Sequence, residues 1–141
     1  MINKRDVLRI RMPFPNISSQ LALQAHMFIC HEVSGNKYGF VKCQTLKPYM
    51  LTRTLMKHYW DEVPDINRNP FKQTTRIDCD KDFITENIIY DDAMKTTIRP
   101  DICVDAMDHI DAELIEDGYA SHAMDESEVL SLNSLTQKIK P

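Results

Sequence analysis

Residues 24–45, QAHMFICHEVSGNKYGFVKCQT, constrain the fold of this chain more than any other stretch. Two apolar-rich runs, 24–33 and 38–45, flank SGNK at 34–37, a compact turn containing glycine. So short a connection makes a β-hairpin and leaves no room for the crossover helix of a βαβ unit. Upstream, VLRIRM (7–12) alternates, with Leu8, Ile10 and Met12 on one side and Val7, Arg9 and Arg11 on the other. That is the period of a half-buried strand with a basic outer face. Residues 5–12, 24–33 and 38–46 are therefore expected as consecutive antiparallel strands of one curved sheet.

The rest of the chain adds helices to this start. Pro13, Pro15 and Asn16 end the first strand, and NISSQ is a polar loop. MLTRTLMKHYW (50–60) reads as a short helix, and DEVPDINRNPF (61–71) as a loop with two prolines. TTRIDC (74–79) is a fourth strand, and DFITENIIY (82–90) offers one or two more. Asp101 then suits the N-cap of the clearest helix, with Ile102, Ala106, Ile110 and Leu114 on one apolar stripe, an acidic opposite face, and Gly118 at its end. Strands first, a helix in the loops and a terminal helix imply an α+β, β-dominated domain over residues 1–118, built as a small antiparallel barrel or half-barrel. Residues 119–141 read as a polar extension, either a docking arm or partly disordered.

Charge is distributed unevenly. Residues 1–76 carry 12 Lys/Arg against 5 acids, and residues 77–141 carry 5 against 16. The basic half attracts polyanions, unless the two sets neutralise each other across the fold. No apolar run approaches the ~18 residues of a membrane span. The opening MINKRDVLRIRMPF has charges threaded through it and no separate apolar segment, so a cytoplasmic protein with no membrane association is expected. Cys30, Cys43, Cys79 and Cys103 form no CxxC pair and read as reduced, buried thiols.

Polar Gln24 and His26 stand at the mouth of the apolar run LALQAHMFICHE. On a strand, Gln24, His26, Phe28 and Cys30 share one face. RDVLRIRMPFPN, QAHMFICHE, FVKCQTLKP, TRIDCDKDFIT and IRPDICVDAMDHIDAEL together resemble, in order, the strands and terminal helix of the MazF/PemK (Kid-like) toxins of bacterial toxin–antitoxin systems, over about residues 4–117. The resemblance implies an SH3-like barrel that cuts single-stranded RNA without metal or cofactor, by attack of the 2′-OH on the adjacent phosphate. It also implies a homodimer and a protein antitoxin. In that family an arginine opening the second strand cooperates with a Thr or Ser ending the third. Thr45 matches the hydroxyl, while the arginine position falls on Gln24, followed by Ala25 where proline is usual.

If the barrel is of this type, Gln24 and His26 lie beside Thr45, near Gln44 and Lys47. His26 then serves as general acid or base, Lys47 neutralises charge on the phosphorane, and Thr45 or Gln44 donates to a phosphate oxygen. His26 as an ordinary strand residue and Gln24 as a solvated one is the competing reading. Arg9, Arg11, Lys42, Arg53, Lys57 and Arg68 are candidate phosphate contacts, with Lys72 and Arg76 extending the groove, and Trp60 is a candidate stacking platform. Each has a structural alternative, as a solvated strand face or, for Trp60, as core. Asp78, Asp80 and Asp82 share a strand face, but no EF-hand-like loop follows, and no metal is expected there. The alternative to a toxin-like endoribonuclease is a catalytically inactive MazF-like module that binds nucleic acid or a protein partner. An SH3-like interaction domain with no RNA role is a third possibility.

Overall fold

A computed structural model describes residues 1–52 and 56–140. β1 (Val7–Ile10) is followed by a single helical turn, α1 (Gln20–Leu23), and then by the long strands β2 (His26–Ser34) and β3 (Lys37–Thr45). The three strands are consecutive and antiparallel, with Ile10 opposite His26 and Phe28 opposite Lys42. Ser34 pairs with Lys37 across the hairpin, and Gly35 takes the left-handed φ of 60° that the reversal needs. The short helix α2 (Tyr49–Thr52) and the strands β4 (Tyr59–Glu62), β5 (Thr75–Asp78), β6 (Lys81–Glu86) and β7 (Ile88–Tyr90) come next, then a 3-10 turn (Asp92–Met94). α3 (Val104–Glu116), β8 (Ala120–Ala123), α4 (Glu126–Leu132) and β9 (Thr136–Lys138) complete the chain.

The fold is α+β and strand-dominated. Seven strands form one sheet in the order β1-β2-β3-β5-β4, with β6 paired to β3 and β8 running parallel to β6, while β7 and β9 pair separately. β2 and β3 are covered on both faces, so alternate residues enter two cores. Leu8, Ile10, Phe28, Phe40 and Phe83 meet Tyr90 and Val129 on one side. Val7, Ile29, Val41, Cys43 and Ile77 meet Ala106, Ile110 and Leu114 of α3 on the other, as the helical spacing predicts, together with Ile102 just before the helix. Cys30, Cys43 and Cys79 are buried free thiols, and burial pushes those of Cys30 and Cys79 up to about 12. No helix of the described residues is long and apolar enough to cross a membrane.

Two local expectations are corrected, and the terminal segment takes the docked one of its two expected forms. The helix expected over 50–60 is confined to Tyr49–Thr52 among the described residues, and Tyr59–Glu62 is instead a strand, pairing Trp60 with Ile77. Its aromatic residues suit a pleated, half-buried surface better than a helix end. Asp101 does not cap α3. Its carboxylate takes the Arg99 Nε–H at 2.8 Å, backbone bonds hold Ile102 and Cys103 extended, and Cys103 becomes the N-cap. The 119–141 segment supplies β8, α4 and β9. Val129 is fully buried there, and the Asn133 side chain bonds both the N–H and the C=O of Arg11, at 2.8 and 2.9 Å, as a neighbouring strand would.

Candidate functional site

Arg9 sits opposite Met27 in the β1–β2 ladder, and Thr45 sits opposite Thr75 in the β3–β5 ladder. The alternation that sends Val7, Ile29, Val41 and Cys43 into the α3-side core brings Arg9, Met27 and Thr45 out on that same face. The segments around 70–73 and 96–98 close over them. The result is a pocket of about 160 Å³ lined by Arg9, Met27, Thr45, Pro70, Lys72, Gln73, Thr75, Thr96, Thr97 and Ile98.

The pocket is cationic and rich in hydroxyls. Among the described residues, neither Arg9 nor Lys72 has an ion-pair partner, and the hydroxyls of Thr45 and Thr97 make no hydrogen bond. Thr75 donates its hydroxyl to Gln73 O at 2.9 Å, and Thr96 donates to Arg99 O at 2.6 Å. Those two hydroxyls keep lone pairs for accepting, whereas Thr45 and Thr97 remain able to donate. Two cations with free donors suit an anion. No histidine or carboxylate is among the lining residues.

The structure brings Arg9 and Thr45 together and separates the other expected site residues from them. His26 alternates with Phe28 and Cys30 and so lies on the face opposite Thr45, where its Nδ1 is 2.9 Å from Gln24 O. The expected convergence of His26, Thr45 and Lys47 on one phosphate is therefore corrected: strand alternation places His26 and Thr45 on opposite sides of the sheet. Gln24 is exposed at the end of α1. Lys47 is exposed in the turn after β3, its N–H toward Met50 Sδ, and the Gln44 amide also approaches that sulfur, at 4.0 Å. Lys42 is half-buried on the opposite face from Thr45, and burial lowers its pKa. Arg11 is exposed beyond the end of β1.

Other expected RNA contacts are engaged within the protein. Arg68 grips Glu62 with Nε and Nη2, at 3.2 and 3.0 Å, and reaches Asp105 with Nη1 at 2.9 Å. Trp60 stacks on His109 with ring centroids 3.9 Å apart and planes within 3°, and its indole N–H donates to Glu62. Arg76 is paired with Asp61 and lies over the Tyr59 ring. Lys4–Asp111 and Arg68–Asp105 join the basic and acidic parts of the chain, so much of the sequence charge is neutralised internally. Lys57 lines a separate open cleft with Tyr59, Trp60, Asp61 and Glu113. Arg53 lies outside the described residues. Thr75, Thr96 and Thr97 escape the sequence reading, because no local pattern marks a threonine that a distant strand will meet.

No protein-family model matches this chain, and no curated protein or solved structure matches it significantly.

Proposed function

We propose that this protein binds single-stranded RNA, seating a backbone phosphate between Arg9 and Lys72 with the hydroxyls of Thr45 and Thr97 as further donors. The observation that carries this reading is the presence of two cations without acidic partners in one small polar pocket. Lys4, Arg5, Arg68 and Arg76 of the basic half are tied to carboxylates, whereas Arg9 and Lys72 have no acidic partner among the described residues and keep their charge for a ligand. Thr75 and Thr96, their protons already committed, retain acceptor capacity that a ribose 2′-OH can use. The SH3-like, MazF-type barrel and an acidic antitoxin segment covering these cations belong to the same proposal.

Cleavage is a second reading, favoured by one specific observation. Arg9 and Thr45 share the pocket, which supplies the arginine and hydroxyl that the resemblance calls for, from β1 instead of position 24. Binding ranks first because no lining side chain is an ordinary proton carrier at neutral pH.

Fluorescence anisotropy of a labelled single-stranded RNA across a salt series tests the binding. Each phosphate neutralised contributes a log–log slope of about −0.7, so the Arg9→Ala/Lys72→Ala double variant, which gives up this one phosphate, should lose about 0.7 from the wild-type slope. Affinity independent of salt, or unchanged in the double variant, counts against it. A gel assay of wild-type protein on long RNA in EDTA decides between binding and cleavage.

A further inference from the structure

β2 carries a bulge between Cys30 and Glu32, where the register slips from Cys30↔Phe40 to Glu32↔Gly39. Adjacent strand residues normally point to opposite faces, but a bulge sets two residues against one and re-aims their side chains. Here His31, Glu32 and Asp82, the last on β6, each place a ligand-type atom within 4.8 Å of the others. His31 Nε2 is 2.7 Å from Asp82 Oδ2, and both side chains are buried. Gly39 makes the approach possible, since a Cβ there would stand 2.9 Å from His31 Nε2 and 3.1 Å from Asp82 Oδ2.

A second observation is independent of this clustering. Asp82 is wholly buried, and its Oδ1 has no hydrogen-bond partner among the described residues. A carboxylate oxygen taken from water with nothing in exchange is costly, and such orphans call for an ion, a water or a functional explanation. Tyr119 stands edge-on to His31, with ring centroids 5.5 Å apart, and lines the same cleft as His31 and Glu32.

We infer that His31, Glu32 and Asp82 form a binding site for a single first-row divalent cation such as zinc. One imidazole with two carboxylates is a donor set that suits such an ion, and three protein ligands leave a fourth position for water. A cleft lined by Lys4, His31, Glu32, Asp111 and Tyr119 gives access from solvent, with the Lys4 ammonium tied to Asp111 at 2.6 Å. Tetrahedral zinc with bonds of about 2.1 Å holds its donors about 3.4 Å apart. His31 and Asp82, now 2.7 Å apart, therefore separate by under 1 Å on loading, and the exposed Glu32, within 4.8 Å of both, swings in by up to about 1.4 Å. The ring carries its proton on Nδ1 when Nε2 binds the ion. This site is separate from the Arg9–Lys72 pocket and does not depend on an RNA role.

Chelator-treated full-length protein titrated with zinc chloride in a calorimeter tests the site, with histidine ring NMR signals followed in parallel. The expected result is one zinc per chain, a shifted His31 ring, and at least about tenfold weaker binding in Glu32→Gln, whose exposed position spares the fold. Asp82→Asn should weaken binding at least as much. No zinc binding by the wild type overturns the inference. So does binding that survives Glu32→Gln but disappears in His58→Ala, which would locate the ion among His58, Glu113 and Asp117.

Discussion

His26 and Thr45 project from opposite faces of the central sheet, His26 in phase with Phe28 and Cys30, Thr45 in phase with Val41 and Cys43. Only the Thr45 side carries the pocket with Arg9 and Lys72. His26→Ala should therefore leave RNA affinity within about twofold of wild type. Thr45→Val, which keeps the shape and removes the hydroxyl, should weaken it at least about tenfold, the worth of one hydrogen bond to a charged phosphate of about 1.5 kcal/mol or more. Anisotropy titrations of both variants check this, and the reverse pattern would move the site to the other face.

Glu62 is the hub that fixes the 59–71 segment against α3. It is 3% exposed and accepts from Arg68, Trp60 and Asn69. Arg68→Ala strips the charge partner from a buried carboxylate and should cost about 2–3 kcal/mol in denaturant unfolding. Burial acts to raise the Glu62 pKa, but its donors outweigh burial and hold it below the ordinary carboxylate value. The depressed value stabilises the folded state above the ordinary carboxylate range, and that contribution disappears as pH falls through the folded pKa. Wild-type stability should thus drop on acidification more than that of Glu62→Gln.

The strands of the first 45 residues were legible because their information is local. Alternation and a short glycine-containing turn specify a hairpin before any tertiary contact forms. The apolar stripe of α3 was legible for the same reason. Site residues were harder, since the pocket that Arg9 and Thr45 line is closed by the distant segments 70–75 and 96–98. His26 drew notice as a polar residue in an apolar run, yet one strand cannot reveal which of its faces will meet a cation on another. The bulge at His31 was invisible for a further reason: it depends on Gly39 across the ladder and Asp82 one strand beyond.

His58 ties the strand region to the end of α3. Its Nε2 is 2.9 Å from Asp117 and its Nδ1 is 3.4 Å from Glu113. The Asp117 hydrogen bond chiefly, and Glu113 with it, raise the His58 pKa above its ordinary 6.5. A raised folded pKa means that this stabilisation is complete below about pH 6.5 and is lost as pH climbs through the folded value. Ring NMR titration should give a His58 midpoint above that of a free histidine, returning toward it in Asp117→Asn. A His58 midpoint unchanged in Asp117→Asn would deny the tie.

The last prediction concerns residues 119–140, which the sequence marks as polar and the fold uses as structure. β8 adds a parallel strand along β6, with Phe83 opposite His122, and Phe14 packs on the His122 ring at 4.6 Å. Val129 is fully buried in the core containing Phe28, Phe40 and Phe83. Asn133 supplies both a donor and an acceptor to the Arg11 backbone, and its own amide also reaches Val129 O at 2.8 Å. Asn133→Ala leaves the Arg11 N–H and C=O without these partners at the end of β1, at a cost of about 1–3 kcal/mol. Asn133→Asp keeps the acceptor for Arg11 N–H but places a carboxylate oxygen against Arg11 O, so it should be no less destabilising. Ending the chain after residue 118 should do far more. It uncovers the edge of β6 and one face of the Phe28–Phe40–Phe83 core together, and an exposed strand edge beside apolar surface favours aggregation. The truncated protein should elute as aggregate in size-exclusion chromatography, whereas the Asn133 variants stay monodisperse with lowered melting temperatures. A soluble 1–118 fragment with the wild-type circular dichroism spectrum and melting temperature would show that the terminal segment only decorates a domain complete without it.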